Sequence, residues 1–350
     1  MSKQKIVIYG SYGYTGRLIA SRAAELYSNV LLSGRNEQKL KKQAAELNLD
    51  YLAVDTSDPL RLENLLNDAH LVIHCAGPFI HTWQPILDSC IRNRCHYLDI
   101  TGEIGVFEGI KARSDEIAEA KIMAMPGVGF DVVPTDCLAL YLKKQLPDAD
   151  HLELAFMGLG GGVSHGTALT MAENLGEGGA VREDGRIKSV PAAYKTRSID
   201  FGERQRTAVT IPWGDVSTGH HTTGIDNITV YTAMKPSAIR WLKLSNWISP
   251  ILRLDAVRNL AKKWISKKVT GPDSKARETG ESYIWGEVKN PGGETITAHL
   301  KTPEGYRLTA MTAIHIAQKV LSGDFKPGYQ TPASAYGEDL ILEIEGTERV

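Results

Sequence analysis

The sequence predicts an α/β chain: a doubly wound parallel sheet of the Rossmann type over residues 1–136, then an α+β domain with an antiparallel sheet over 137–325, with residues 326–350 returning to the first domain. Three observations lead there. Near the amino end an apolar strand, Ile6-Val7-Ile8-Tyr9, runs into a glycine-spaced turn, Gly10-Ser11-Tyr12-Gly13-Tyr14-Thr15-Gly16. Leu18, Ile19, Arg22, Ala23 and Leu26 then follow at helical spacing, so strand, turn and helix come in the order a βαβ unit needs. Strand and helix patterns keep alternating to residue 125, the mark of an open parallel sheet. From Leu152 onward the texture changes to alternating strands punctuated by glycine and proline.

Each glycine of the first turn has a physical task. Gly10 lets the strand turn sharply, Gly13 leaves no side chain between backbone and a pyrophosphate, and Gly16 lets the helix pack closely. The helix amino end offers N–H groups and partial positive charge to phosphates, so Tyr12, Tyr14 and Thr15 join the glycines as candidate cofactor contacts. The second strand, 29–32, ends in Ser33-Gly34-Arg35-Asn36, where a carboxylate would stand if the ribose 2′-hydroxyl of NAD were read. Arg35 can pair with a 2′-phosphate and Ser33 and Asn36 can donate to it, so NADP is favoured over NAD. The alternative is a plain tight βα turn with Arg35 solvated at a helix start.

The third strand, 51–54, is followed by Asp55, and the fourth ends in Cys75-Ala76-Gly77-Pro78. Ligands of doubly wound sheets sit beyond the carboxyl ends of the strands, which places Asp55 toward the adenine and Cys75, Ala76, Gly77 and Pro78 toward the nicotinamide. A helix over 86–92, a strand over 96–99, a helix over 107–120 and a strand over 121–125 complete the sheet. The next strand-to-helix crossing contributes Gly127, Gly129 and Phe130 to the cofactor side. The helix begun by Pro134-Thr135-Asp136 would turn its amino end toward a carboxamide or an anionic substrate atom.

In the second half, 152–157 alternates as a strand, 158–163 is a glycine-rich loop, and a helix runs from His165 to about residue 175. Strands follow over 207–211, 227–233, 283–288 and 295–300, the last two flanking the turn Asn290-Pro291-Gly292-Gly293. Two helices between 236 and 268 mix Trp241, Trp247 and Trp264 with Arg240, Lys243, Lys262 and Lys263. Such a stripe packs on its own sheet or on a partner subunit; an anionic lipid surface is the other reading. A further helix spans 306–321, and His220-His221 reads as a pair of solvent-exposed loop histidines.

Composition narrows the partners. Forty Lys and Arg nearly cancel 41 Asp and Glu, leaving a net charge of −1 and no field to attract nucleic acid. No apolar run is long enough for a transmembrane span or a signal peptide, so a cytoplasmic protein is expected. The four cysteines lack metal-ligand spacing, so reduced thiols and no metal site are expected. A homodimer through the antiparallel sheet or the tryptophan helices is plausible.

With these motifs placed, the chain resembles the saccharopine dehydrogenase-like oxidoreductases, including the trans-acting enoyl reductases. The resemblance rests on the Gly10–Gly16 turn, Ser33-Gly34-Arg35, Cys75-Ala76-Gly77-Pro78-Phe79, Tyr97-Leu98-Asp99-Ile100-Thr101-Gly102-Glu103, and Pro126-Gly127-Val128-Gly129-Phe130-Asp131-Val132-Val133-Pro134-Thr135-Asp136. Beyond residue 136 only looser matches remain: Gly166-Thr167, and Gly271-Pro272 with Arg277. The resemblance implies NADP(H)-linked hydride transfer to an imine or an enoyl double bond of a small or acyl substrate, with a second domain closing over the nicotinamide. No clustered cations stand in the turns nearest the nicotinamide, which favours a less charged substrate.

Reduction of C=N or C=C needs a proton as well as a hydride. Asp99, at the end of a strand, Glu103 in the same loop and His165 after the glycine-rich loop are the leading proton donors, with Tyr97, Asp131 and Asp136 behind them. Each has a plainer role: Asp99 can cap a turn, Glu103 can support a helix start near Gly105, Asp131 and Asp136 can cap the next helix, and a lone histidine is often structural. The reading from a different class is a non-catalytic NADP-binding regulator or scaffold.

Overall fold

Strand β1 (Lys5–Tyr9) is built from residues buried on both faces, which is what a central parallel strand requires. In the computed structural model, which describes residues 4–159, 162–202, 204–269 and 271–350, the chain divides into two units. One takes Met1–Asp131 and Tyr306–Ala335, the other Val132–Gly305 and Tyr336–Val350.

The first unit is a parallel sheet of seven strands. Beside β1 run β2 (Val30–Gly34), β3 (Asp50–Ala53), β4 (Ala69–His74), β5 (His96–Asp99) and β6 (Met123–Met125), with the short strand Gly328–Tyr329 at the far edge. Their order is Gly328–Tyr329, β6, β5, β4, β1, β2, β3, so the chain reverses direction across the sheet between β1 and β4. Ligands of doubly wound sheets bind outside such a switch point.

Helices α1 (Tyr14–Leu26), α2 (Glu37–Leu47), α3 (Pro59–Leu66) and α4 (Trp83–Asn93) connect the strands. The helix expected over 107–120 is two, α5 (Ile104–Lys111) and α6 (Ser114–Glu119), separated at Arg113, whose backbone leaves the helical region. Phe107, Ile110 and Ile117 are buried on both sides of the break, so the apolar period runs through it unmarked. Strand β6 starts at Met123 because Lys121 takes a left-handed conformation, φ 61°. The helix Gly305–Leu321 is fastened to this unit: Phe130 N–H donates to Thr309 Oγ1 at 3.0 Å and Thr312 Oγ1 donates to the Val128 carbonyl at 2.7 Å.

The second unit carries α7 (Val133–Gln145) and a nine-stranded sheet: β7 (His151–Leu159), β8 (Gly179–Glu183), β9 (Arg186–Val190), β10 (Thr196–Asp200), β11 (Gln205–Thr210), β12 (Asn227–Ala233), β13 (Glu281–Lys289), β14 (Thr295–Pro303) and the terminal pair Glu348–Arg349. The sheet is mixed rather than purely antiparallel, because β12 and β7 run parallel from Asn227↔His151 to Thr232↔Phe156. The β13–β14 hairpin forms as expected, with Gly293 at φ 88° and Asn290 Oδ1 accepting from Glu294 N–H. Residue 158, expected in a loop, continues β7; residues 160 and 161 of that loop lie outside the described residues.

His220 and His221 correct another expectation. They lie on helix α9 (Asp215–Thr223), which ends at Gly224 in the left-handed conformation, and His220 Nδ1 lies 3.0 Å from the Ile225 carbonyl. Among the described residues of helices α10 (Pro236–Ser245), α11 (Ser249–Leu252) and α12 (Asp255–Lys268), only Ile239 and Ile265 turn fully inward. Trp241, Trp247 and Trp264 are 72%, 88% and 62% exposed, so these tryptophans do not pack on their own sheet. Among the described residues no helix is long and apolar enough to cross a membrane.

Candidate cofactor site

The turn after β1 closes on itself through its glycines. Gly10 takes φ 79°, and a Cβ there would lie 2.8 Å from the Ala76 backbone nitrogen; one at Gly16 would lie 2.3 Å from the Gly10 carbonyl oxygen. Gly13, in extended conformation, is the N-cap of α1 and gives no side chain to the first-turn amides, which leaves that helix end suited to a phosphate. Gln43 of α2 buttresses the turn from behind, accepting from Ser11 Oγ at 2.8 Å and donating to the Ser11 carbonyl at 2.9 Å. Tyr14 sets its ring edge-on to Tyr306, centroids 4.9 Å apart.

At the end of β2 the residues sort differently from the sequence expectation. Ser33 is buried and its hydroxyl donates to the Leu52 carbonyl, while its own carbonyl receives Gly10 N–H at 2.8 Å; it serves the turn from inside rather than offering a donor outward. Asn36 spends its side chain as the N-cap of α2, accepting from Lys39 N–H. Its backbone N–H donates to Tyr12 Oη at 3.2 Å. The Tyr12 ring lies over Gly34, where a Cβ would meet it at 2.7 Å, and Lys39 Nζ stands 5.6 Å from the ring centre. Arg35 is exposed beside this cluster. Asp55, also exposed, accepts from Ser57 N–H and Oγ, which together hold its carboxyl below the ordinary value. Tyr12, expected as a cofactor contact from the glycine turn, thus adds an aromatic face beside Arg35, and Lys39, which the sequence did not single out, adds a second cation.

The loop after β4 is locked by a closed set of hydrogen bonds that the sequence did not announce. His74 is buried and its pKa falls to about 3, so the ring is neutral. Ala76 N–H donates to Nδ1 at 3.4 Å, Nε2 faces Thr82 Oγ1 at 2.9 Å, and Thr82 Oγ1 donates to the Ala76 carbonyl at 2.9 Å. With Nδ1 accepting, Nε2 carries the proton and donates to Thr82. Cys75 N–H donates to the Tyr9 carbonyl at 2.7 Å, and burial pushes its thiol up in pKa.

Three carboxyls gather around Gly102. Asp99 is fully buried; its Oδ1 accepts from Thr101 and Gly127 N–H at 2.9 and 3.0 Å, and its Oδ2 accepts from Tyr97 Oη at 2.7 Å. Burial outweighs these bonds and raises its pKa to about 7. Glu103 does not cap α5 with its side chain. Its two oxygens accept instead from Phe79 and Ile80 N–H, at 2.8 and 2.9 Å, which ties the loop after β5 to the loop after β4. Asp131 packs its carboxyl against Gly102, where a Cβ would lie 2.7 Å from Oδ2, and keeps part of its surface accessible. Burial of the carboxyl, then the negative charge of Glu103, raises it to about 7.

The amides after β6 are used within the unit: Gly127 N–H goes to Asp99 Oδ1, Val128 N–H to the Asp99 carbonyl, and Phe130 N–H to Thr309. Gly129 is needed there because a Cβ would sit 2.7 Å from the Thr309 methyl. Neither Asp131 nor Asp136 caps α7, whose N-cap is Val132; Asp136 Oδ1 accepts from Thr222 Oγ1 within the second unit. His165 also belongs to the second unit, as the first residue of α8 (His165–Glu173) after the N-cap Ser164. The first unit thus brings together Gly10, Tyr12, Gly13, Gly16, Arg35, the Ala76 loop, Asp99, Glu103 and Asp131.

Residues 6–125 match the family model described as the saccharopine dehydrogenase NADP binding domain. The chain is 31% identical over 157 residues to a probable mitochondrial saccharopine dehydrogenase-like oxidoreductase of Arabidopsis thaliana, a match covering 40% of this chain and 35% of that protein. It is 30% identical over 149 residues to a trans-acting enoyl reductase of Mycobacterium leprae, covering 40% of this chain and 36% of that one. The chain therefore spans little more than a third of the length of these curated relatives. In fold it is similar to apo saccharopine dehydrogenase (L-Glu forming) from Saccharomyces cerevisiae, with a TM-score of 0.67 at 14% identity over 99% of this chain and 100% of that one. Residues 6–125 are thus an NADP(H)-binding domain similar to that of saccharopine dehydrogenase, and the relatives of this chain include saccharopine dehydrogenase-like oxidoreductases and a trans-acting enoyl reductase.

Proposed function

We propose that the protein is an NADP(H)-dependent reductase acting on a C=C or C=N bond of a small or acyl substrate. The observation that carries this reading is the closed glycine turn at the switch point of the sheet together with Arg35, Lys39 and Tyr12 at the end of β2, where an NAD site would place a carboxylate. Bound NADPH supplies the hydride. The chain's own residues do the rest: the turn and the α1 amino end hold the pyrophosphate, and Arg35 and Lys39 meet the 2′-phosphate.

For the proton we propose Asp131 over Asp99 and Glu103. Asp99 spends both oxygens on Tyr97, Thr101 and Gly127, and Glu103 spends both on the Phe79 and Ile80 amides. Asp131 is less buried as a residue than Asp99, and burial of its carboxyl with the charge of Glu103 brings its pKa to about 7, which suits an acid near neutrality.

The test is NADPH oxidation against a panel of enoyl thioesters and of 2-oxo acids mixed with amines, with Asp131→Asn alongside. Turnover with one class, cut at least tenfold by Asp131→Asn with NADPH affinity unchanged, is the expected result. NADPH binding without turnover on either class would replace the reductase by a nucleotide-binding regulator. Full activity in Asp131→Asn would remove that residue from the reaction.

A further inference from the structure

Residues 235–268 hold nine Lys and Arg against one acidic residue, Asp255, in a chain whose net charge is −1. The same segment holds three of the six tryptophans, and all three point outward. Leu244, Ile251 and Leu260, which are 57%, 57% and 70% exposed, join Trp241, Trp247 and Trp264 as large apolar side chains turned to solvent along α10, the turn 246–248, α11 and α12. Large aromatic side chains exposed together in this way mark an interaction surface.

The helices have a distinct inner side. Ile265 packs with Ala168 and Ala172 of α8, Arg258 pairs with Glu177, Lys262 pairs with Glu173, and Arg253 Nε donates to the Gly176 carbonyl at 2.9 Å. Those cations hold the helices to the rest of the second unit. Arg240, Lys243 and Lys263 are exposed and make no ion pair among the described residues. The outer side therefore combines aromatic and aliphatic tips with unneutralised positive charge.

We propose that this face docks the protein on an anionic phospholipid membrane surface. Tryptophan suits the headgroup boundary, because its ring is apolar and its N–H still finds a polar partner, and cations beside it gain from an anionic leaflet. A second copy of the chain fits the charge poorly, since a two-fold contact sets each patch against itself and brings like charges together. This assignment goes beyond the reductase reading and stands apart from it, because none of these residues takes part in the cofactor site.

The experiment sediments the full chain with vesicles of phosphatidylcholine alone and of phosphatidylcholine mixed with phosphatidylserine, at low and at high salt. Expected are binding to the mixed vesicles only, its loss at high salt, and a blue shift of tryptophan emission on binding. Lys243→Gln and Lys263→Gln should each weaken binding about fivefold, and together about 25-fold, from roughly 1 kcal/mol per cation near an anionic surface. Trp247→Ser with Trp264→Ser should reduce the blue shift to what Trp241 alone contributes; both side chains stand mostly in solvent, and retained NADPH binding verifies the fold. No binding to the mixed vesicles, equal binding to neutral ones, or undiminished binding by the lysine double variant overturns the proposal. So does a dimer in light scattering that Trp247→Ser dissociates, which would give the face to a second copy.

Discussion

Replacing Asp99 by asparagine removes a titration while keeping most of a hydrogen-bond set. The asparagine carbonyl oxygen can still accept from Thr101 and Gly127 N–H, and its amide can donate to Tyr97 Oη. What disappears is a buried carboxyl whose pKa stands at about 7 in the fold and about 3.9 in an unfolded chain. Between those values the folded protein holds a proton that the unfolded one releases, so stability is full at low pH and is lost as pH rises through the folded pKa. The slope is about 1.4 kcal/mol per pH unit, or about 4 kcal/mol across the window. His74 and His96 act in the opposite sense. Burial holds them at about 3 and about 4, so their contribution grows as pH rises through the same range. Asp131, also raised to about 7, adds a slope of the same sign as Asp99, so the wild-type curve is the sum of all these slopes and only the difference between variant and wild type isolates Asp99. Urea unfolding of both proteins from about pH 4 to about pH 8, with amide exchange of peptides covering Thr101 and Gly127 as a local readout, supplies that difference. The variant should match wild type near pH 4 and exceed it by up to about 4 kcal/mol near pH 8. A difference that does not change with pH would refute the claim that Asp99 is held protonated by burial.

Thr82→Val leaves His74 Nε2 and the Ala76 carbonyl without their shared partner, and should lower the unfolding free energy by about 1–3 kcal/mol in urea titrations. Glu103→Gln puts a donor where one of two backbone N–H groups now points and removes the charge that helps raise Asp131; NADPH oxidation should lose its alkaline limb at lower pH than in wild type, while an unmoved limb would separate the two residues. Gly34→Ala sets a Cβ 2.7 Å from the Tyr12 ring at a backbone φ of 150°. The strain, about 1–3 kcal/mol, should appear as weaker NADPH binding in fluorescence titration.

The cofactor half of the fold was legible because its signals are local. A buried parallel strand, a glycine turn and an amphipathic helix each carry their own period, and Gly10, Gly13 and Gly16 stand where that logic puts them. The strands β8, β9 and β10 were not anticipated, although Asp184-Gly185, with both residues at positive φ, is a hairpin turn of the most readable kind. The residues of β9 and β10 are largely exposed and polar, so their alternation is faint, and β8 is a buried run of only five residues. The helix Gly305–Leu321 was assigned to the second domain because nothing in its sequence reveals that Thr309 and Thr312 bond to Phe130 and Val128, some 180 residues earlier. At the site, residue types were readable but orientations were not. Ser33 turned inward, Asn36 became a helix cap, and Glu103 found the Phe79 and Ile80 amides across 23 residues. Each outcome depends on which neighbour the fold brings within reach, which spacing along the chain does not encode.

The account rests on the end of β2 reading a 2′-phosphate, and the direct measurement is the Kd of NADPH and of NADH for the wild type and for Arg35→Glu. A hydrogen bond to a charged group contributes about 1.5–3 kcal/mol, so wild type should prefer NADPH by at least about tenfold, and Arg35→Glu should abolish that preference with little change for NADH. Equal affinities in the wild type, or a parallel loss of both nucleotides in the variant, would contradict it.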